Sequence, residues 1–135
     1  MPRPLPEQPD FASAAEREVW EHLTEQLPAE AVLIAGQRVT ARGEEVEADL
    51  LVLWPGIGIA VIEVKGGRIS LEDGAWRQAD RSGSRELARS PIDQAQRAKH
   101  HLLEYLNGAS SRPVGRAAPL AVPPYTQLPA AWAPP

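Results

Sequence analysis

The 135 residues contain no cysteine, which excludes disulfides, thiolate zinc sites and iron–sulfur clusters. Any metal would have to rest on oxygen or imidazole ligands, and imidazole is scarce. The three histidines, His22, His100 and His101, lack ligand spacing and are expected at the surface. No run of 18 apolar residues occurs and no signal-peptide pattern opens the chain, so a soluble, cytoplasmic protein with no membrane partner is expected. The length suits one domain with a sizeable core.

Charge is present but unevenly placed. The first 64 residues carry twelve Asp/Glu against four Lys/Arg, whereas residues 65–135 carry six against ten. Such asymmetry suits a polyanion-facing side, although solvated surface charge produces the same pattern.

Residues 1–10 hold four prolines and read as an extended arm. A helix is expected over 11–27, stopped by Pro28, with Val19, Trp20, Leu23 and Leu27 within an arc of about 100°. Glu16 falls inside that apolar arc. It reads either as a capping-box partner of Ser13 or as a carboxylate directed at a site. Residues 31–40 read as a strand and 41–45 as a polar turn. Strands follow at 46–54 and 57–65, then a short hairpin around Glu72-Asp73-Gly74. Residues 78–89 are polar, contain Gly and Ser, and read as a loop. Ser90-Pro91 opens a second helix that should end at Asn107-Gly108 and bury Ile92, Ala95, Leu102, Leu103 and Leu106. A polar linker over 109–116 precedes a last strand at 117–122, which Pro119 would confine to an edge or a bulge. From Pro113 onward seven prolines occur in 23 residues, and an apolar end around Trp132 reads as a segment leading into a missing downstream region.

The most apolar window, 47–65, is also the chemically informative one. It carries Asp49, Glu63 and Lys65 within two strands rich in Val, Ile and Leu. Burying unpaired ions is costly, so their presence needs a reason. Glu63 and Lys65, two apart on a strand, leave the same face. Asp49 joins them if Trp54 opposes Gly58 across the loop Pro55-Gly56-Ile57; a two-residue loop would send the two carboxylates to opposite faces. Two carboxylates and a backbone carbonyl suit a hard divalent cation, Mg2+ or Mn2+, with a lysine beside it to orient a nucleophile. Phosphodiester hydrolysis uses all of these parts. A plain salt bridge at Lys65 is the simpler alternative.

These residues carry a resemblance. Glu47-Ala-Asp49, an apolar hairpin and Glu63-Val-Lys65 resemble the PD-(D/E)xK nuclease signature. With Glu16 on the first helix, Gly74-Ala-Trp76 and Gln94-Ala95, the chain is similar to the NERD (nuclease-related) domain over about residues 12–122. The resemblance implies an α/β, restriction-endonuclease-like fold, an αβββαβ core whose mixed sheet is flanked by helices. It divides the chain into an arm (1–10), the domain (11–122) and a Pro-rich segment (123–135). It implies a Mg2+- or Mn2+-dependent nuclease acting on DNA, with Asp49 and Glu63 holding the metal, Glu16 assisting, Lys65 positioning the nucleophile and Gln94 fixing Lys65 or a phosphate. A helicase motor in the same polypeptide and a role in DNA repair belong to the same expectation. Arg77, Arg81, Arg85, Arg89, Arg97 and Lys99, set against Asp80, Glu86 and Asp93, are candidates for phosphate contacts. The rival readings are a nuclease-like fold that binds nucleic acid without cleaving it, and a domain with an incidental salt-bridge cluster.

Overall fold

The computed structural model describes residues 1–109 and 117–126. Ten elements follow in order: β1 (Arg3–Leu5), α1 (Ala14–Gln26), β2 (Val32–Ala41), β3 (Glu44–Trp54), β4 (Gly58–Val64), β5 (Arg68–Glu72), β6 (Ala75–Asp80), β7 (Gly83–Glu86), α2 (Pro91–Ala109) and β8 (Ala117–Val122). Five strands form the main sheet in the order β1-β2-β3-β4-β8, and β5, β6 and β7 form a second, small sheet. Removing β1 and the small sheet leaves the expected αβββαβ core. The sheet is mixed, because β1–β2 and β4–β8 run parallel while β2–β3 and β3–β4 run antiparallel.

Each face of the main sheet is covered by one helix. Ala15, Val19 and Trp20 of α1 pack with Leu33, Leu50, Val52, Ile62 and Val64. Ala98 and Leu102 of α2 pack with Val39, Ala48, Leu51 and Val61 on the other side. Covering both faces explains why the strands read as nearly continuous apolar runs. Ser13 caps α1, its hydroxyl accepting from the Glu16 amide at 3.2 Å. Pro119 sits in β8, which pairs only with β4 and so forms the edge that proline requires.

Four expectations need correction. The arm is extended, but Arg3–Leu5 joins the main sheet beside Val32–Ile34. Residues 78–86 are not a loop, and only 87–89 of that stretch lie outside β6, its turn and β7: β6 runs to Asp80, turns through Arg81-Ser82 and returns as β7. Every residue of β7 is exposed, so no apolar alternation marks it. Local bonds hold the turn instead, with the Asp80 carboxylate accepting from Ser82 and Arg85. In α2, Ile92 is 42 % exposed and Ala98 takes its place in the stripe, and the helix continues past Gly108 to Ala109. His101 is largely covered, lying against the Arg97 carbonyl and the Glu44 carboxylate, while His22 and His100 are exposed as expected.

Most of the predicted 109–116 linker and the stretch around Trp132 lie outside the described residues. Residues 123–126 are fastened to the domain: the Tyr125 hydroxyl donates to Glu18 of α1, and Thr126 Oγ1 accepts from the Ile69 amide at 2.8 Å.

Candidate active site

The site forms where the main sheet changes its facing. In β2, Leu33 and Ala35 pack toward α1, yet Val39, of the same parity, packs toward α2. In β3, Leu50 and Val52 face α1 while Ala48 and Val46 face α2. Strict alternation would keep each set on one side, so both strands switch face between these positions. Pairing keeps one register across the switch, with Ala35 opposite Leu50 and Gln37 opposite Ala48. The residues between are Gly36, with φ +65°, and Asp49. Glycine adopts that backbone region without the cost a Cβ imposes.

On the other side of β3 the ladder to β4 runs from Trp54–Gly58 to Leu50–Ile62. The register is the one the chemistry requires, and the loop is Pro55-Gly56-Ile57, with the Ile57 amide donating to the Trp54 carbonyl at 3.0 Å. Pairing stops one step before Asp49 and Glu63. There the Asp49 carboxylate replaces the missing backbone partner, its Oδ2 accepting from the Val64 amide at 2.9 Å. Asp49 therefore points across the opening gap between β3 and β4.

Glu63 meets it in that gap. When protonated, the Glu63 carboxyl donates a hydrogen bond to Asp49. Burial and the neighbouring Asp49 charge push the Glu63 pKa up to about 7, against the opposing pull of Lys65. Burial also raises Asp49, although the Val64 amide and Lys65 oppose it. Lys65 Nζ lies 3.3 Å from Glu63 Oε1, and the two side chains are only 17 % and 12 % exposed. The Lys65 amide donates to the Val122 carbonyl of β8, which fixes the end of β4.

Glu16 takes part in the helix start. Its amide completes the Ser13 cap and its carboxylate accepts from the Ala12 amide. Burial, with the charges of Asp49 and Glu47, raises its pKa. Glu47 is thus a further carboxylate of the cluster, which the sequence reading used only as part of a motif. Its place two residues before Asp49 was the available signal. Glu47 also lies 3.5 Å from Arg38. Gln78 was missed altogether. It is buried in β6, and its Nε2 donates to the Gly66 carbonyl at 2.8 Å, next to Lys65.

Gln94 makes a side-chain bond at the entry of α2. Its side chain donates to the Arg89 carbonyl at 3.2 Å, steadying the entry of α2. The six candidate phosphate contacts also divide. Arg77 is held by Ser84 and Glu72, Arg85 by Asp80, and Arg97 by Glu44. Arg81, Arg89 and Lys99 have no ion pair among the described residues.

A buried carboxylate pair sharing a proton, with a further acid nearby, binds positive charge readily. Its donors are hard oxygens, matching magnesium or manganese in type. Among the described residues no three His, Asp or Glu side chains converge closely enough to hold an ion by themselves. Water or substrate oxygens would have to complete the shell.

The sequence model of the nuclease-related domain matches residues 12–122, all the elements from α1 to β8. The chain belongs to the nuclease-related domain family. No curated protein and no solved structure matches it. For this nuclease-related domain, the family match spans Glu16, Glu47, Asp49, Glu63 and Lys65 together. None of its described helices is long and apolar enough to cross a membrane.

Proposed function

We propose that this nuclease-related domain hydrolyses phosphodiester bonds of DNA with the help of a divalent cation. The observation that carries the reading is the Asp49–Glu63 contact in a largely buried gap beside Lys65. Two carboxylates are kept together there against their mutual repulsion, an arrangement with a cost to folding and a use in catalysis.

Asp49 and Glu63 would hold Mg2+ or Mn2+, which when bound supplies charge to polarise the phosphoryl group and acidify a water. The residues do the rest. Asp49 is oriented by the Val64 amide, so its free oxygen faces the gap. Glu63 would give up its proton where it helps hold the cation. Lys65 Nζ, steered by Glu63, can donate to a non-bridging phosphate oxygen or orient the attacking water, offsetting the charge that builds as the water adds. Glu16 and Glu47 add negative charge at the α1 side and favour cation over anion there. The association with a helicase motor and with DNA repair rests on the resemblance alone, not on any residue of this chain.

Incubation with single-stranded, duplex and supercoiled DNA, with Mn2+ or with EDTA, tests the proposal. Cleavage should need the metal and fall by roughly 100-fold or more in Lys65→Ala and Asp49→Asn, the scale of losing a charge-stabilising group. Equal cleavage by those variants, or none by the wild type, overturns it; binding of DNA without cleavage would then mark a docking module.

A further inference from the structure

The small sheet and α2 enclose an open cleft that the proposed chemistry does not use. Trp76, Glu86, Arg89, Asp93, Gln96 and His100 line it. Trp76 is half-buried and lines the cleft, while Arg89 and His100 are exposed. Arg97 and His101 also border it, but both are engaged by Glu44.

The cleft is coupled to the site through one strand. Trp76 and Gln78 lie on the same face of β6, about 7 Å apart along the strand. Gln78 grips the Gly66 carbonyl immediately after Lys65. The next residue, Gly67, seats so tightly on β6 that a Cβ would lie 2.4 Å from the Ala79 carbonyl oxygen. Gly66, Gly67 and Gln78 thus tie the segment that carries Lys65 to the strand that carries Trp76.

The lining is chemically mixed. Arg89 is offset by the carboxylates of Glu86 and Asp93, so this is a poor surface for a run of phosphates. It suits a nucleobase better. An aromatic face stacks on an unpaired base. Carboxylates accept hydrogen bonds from the exocyclic amino groups of cytosine and adenine, which thymine lacks. Paired bases are already stacked and closed off, so the occupant must be unpaired.

We propose that the cleft between β6–β7 and α2 holds an unpaired, amino-bearing nucleobase of the strand whose phosphate lies at Lys65. Trp76 stacks on the base, Asp93 accepts from its amino group, and Arg89 contacts the adjoining phosphate. This rests on the nuclease reading for the position of the strand, but its test does not need cleavage.

The full chain, in EDTA, is titrated with short oligo(dC), oligo(dT) and a duplex, following tryptophan fluorescence and the anisotropy of labelled DNA. The expected result is quenching by oligo(dC), tighter binding of oligo(dC) than oligo(dT), and weaker binding of the duplex. Trp76→Ala should lower oligo(dC) affinity roughly 5- to 100-fold, the range for loss of one stacked base, and Trp76→Phe should recover most of it. Asp93→Asn should remove the preference for dC over dT. Lys65→Ala should bind more weakly for want of its phosphate contact but keep the preference for dC over dT, which the cleft supplies. Equal affinity for all three DNAs, or Trp76→Ala binding like the wild type, overturns the proposal whether or not the protein is a nuclease. Conversely, selective binding at Trp76 in a protein that never cleaves would sustain it and reject the enzymatic reading.

Discussion

Replacing Glu63 by glutamine tests the carboxylate pair without measuring catalysis. In the metal-free protein the Glu63 pKa stands at about 7 rather than its ordinary 4.5. A raised carboxyl pKa stabilises the fold while the group is protonated, and that contribution is lost as pH rises through the folded value. The window is therefore from about pH 4.5 to somewhat above pH 7. The displacement corresponds to about 3 kcal/mol. For a chain of this length each kcal/mol moves Tm by about 3–4 °C, so the metal-free protein should melt about 10 °C lower near pH 8 than near pH 5. Glu63→Gln keeps a donor to Asp49 and carries no charge at any pH. It should flatten most of this slope and melt higher than the wild type near pH 8. Mn2+ should restore the wild type near pH 8 by replacing the lost proton, and do little for Glu63→Gln. Thermal melts at two pH values, with and without metal, decide the matter. A variant with the wild-type pH slope would refute the shared proton, and with it the reason for expecting a cation.

Two glycines with similar backbone angles should respond differently. Gly67→Ala forces a Cβ against the Ala79 carbonyl, whereas Gly36 has nothing within 4 Å of that position. Denaturant melts should show a loss of about 1–2 kcal/mol for Gly36→Ala, the strain of a left-handed residue, and a clearly larger loss for Gly67→Ala. Gln78→Leu leaves the Gly66 carbonyl without its donor and should cost about 1–3 kcal/mol; it should also speed amide hydrogen exchange at Gly67, measurable by mass spectrometry. Leu33→Ala, at a fully buried position in the α1-facing core, should cost about 2–5 kcal/mol by the same denaturant assay.

The sequence by itself determined the order of the core elements, α1, β2 to β4, α2 and β8, and narrowed the central hairpin to two registers. Apolar runs, Pro28 and the Asp73-Gly74 turn are local signals, and each acts on the chain nearest to it. Trp54-Pro55-Gly56 located the loop, and the demand that Asp49 and Glu63 meet selected its length. Glu16 stood out because a helical stripe is a local periodicity. What lacked a local signal was missed. β7 has no buried face to pattern, so its strand follows from pairing with β6. The cover over His101 had no local signal because a side chain's partner, here Glu44, is set by which elements pack together. Only the tertiary structure decided that β2 and β3 change face at Gly36 and Asp49, and that Gln78 closes behind Lys65. Those contacts join residues far apart in the chain. Charge burial in the gap is likewise a property of the assembled sheet and helices, since no stretch of sequence alone removes Glu63 from water.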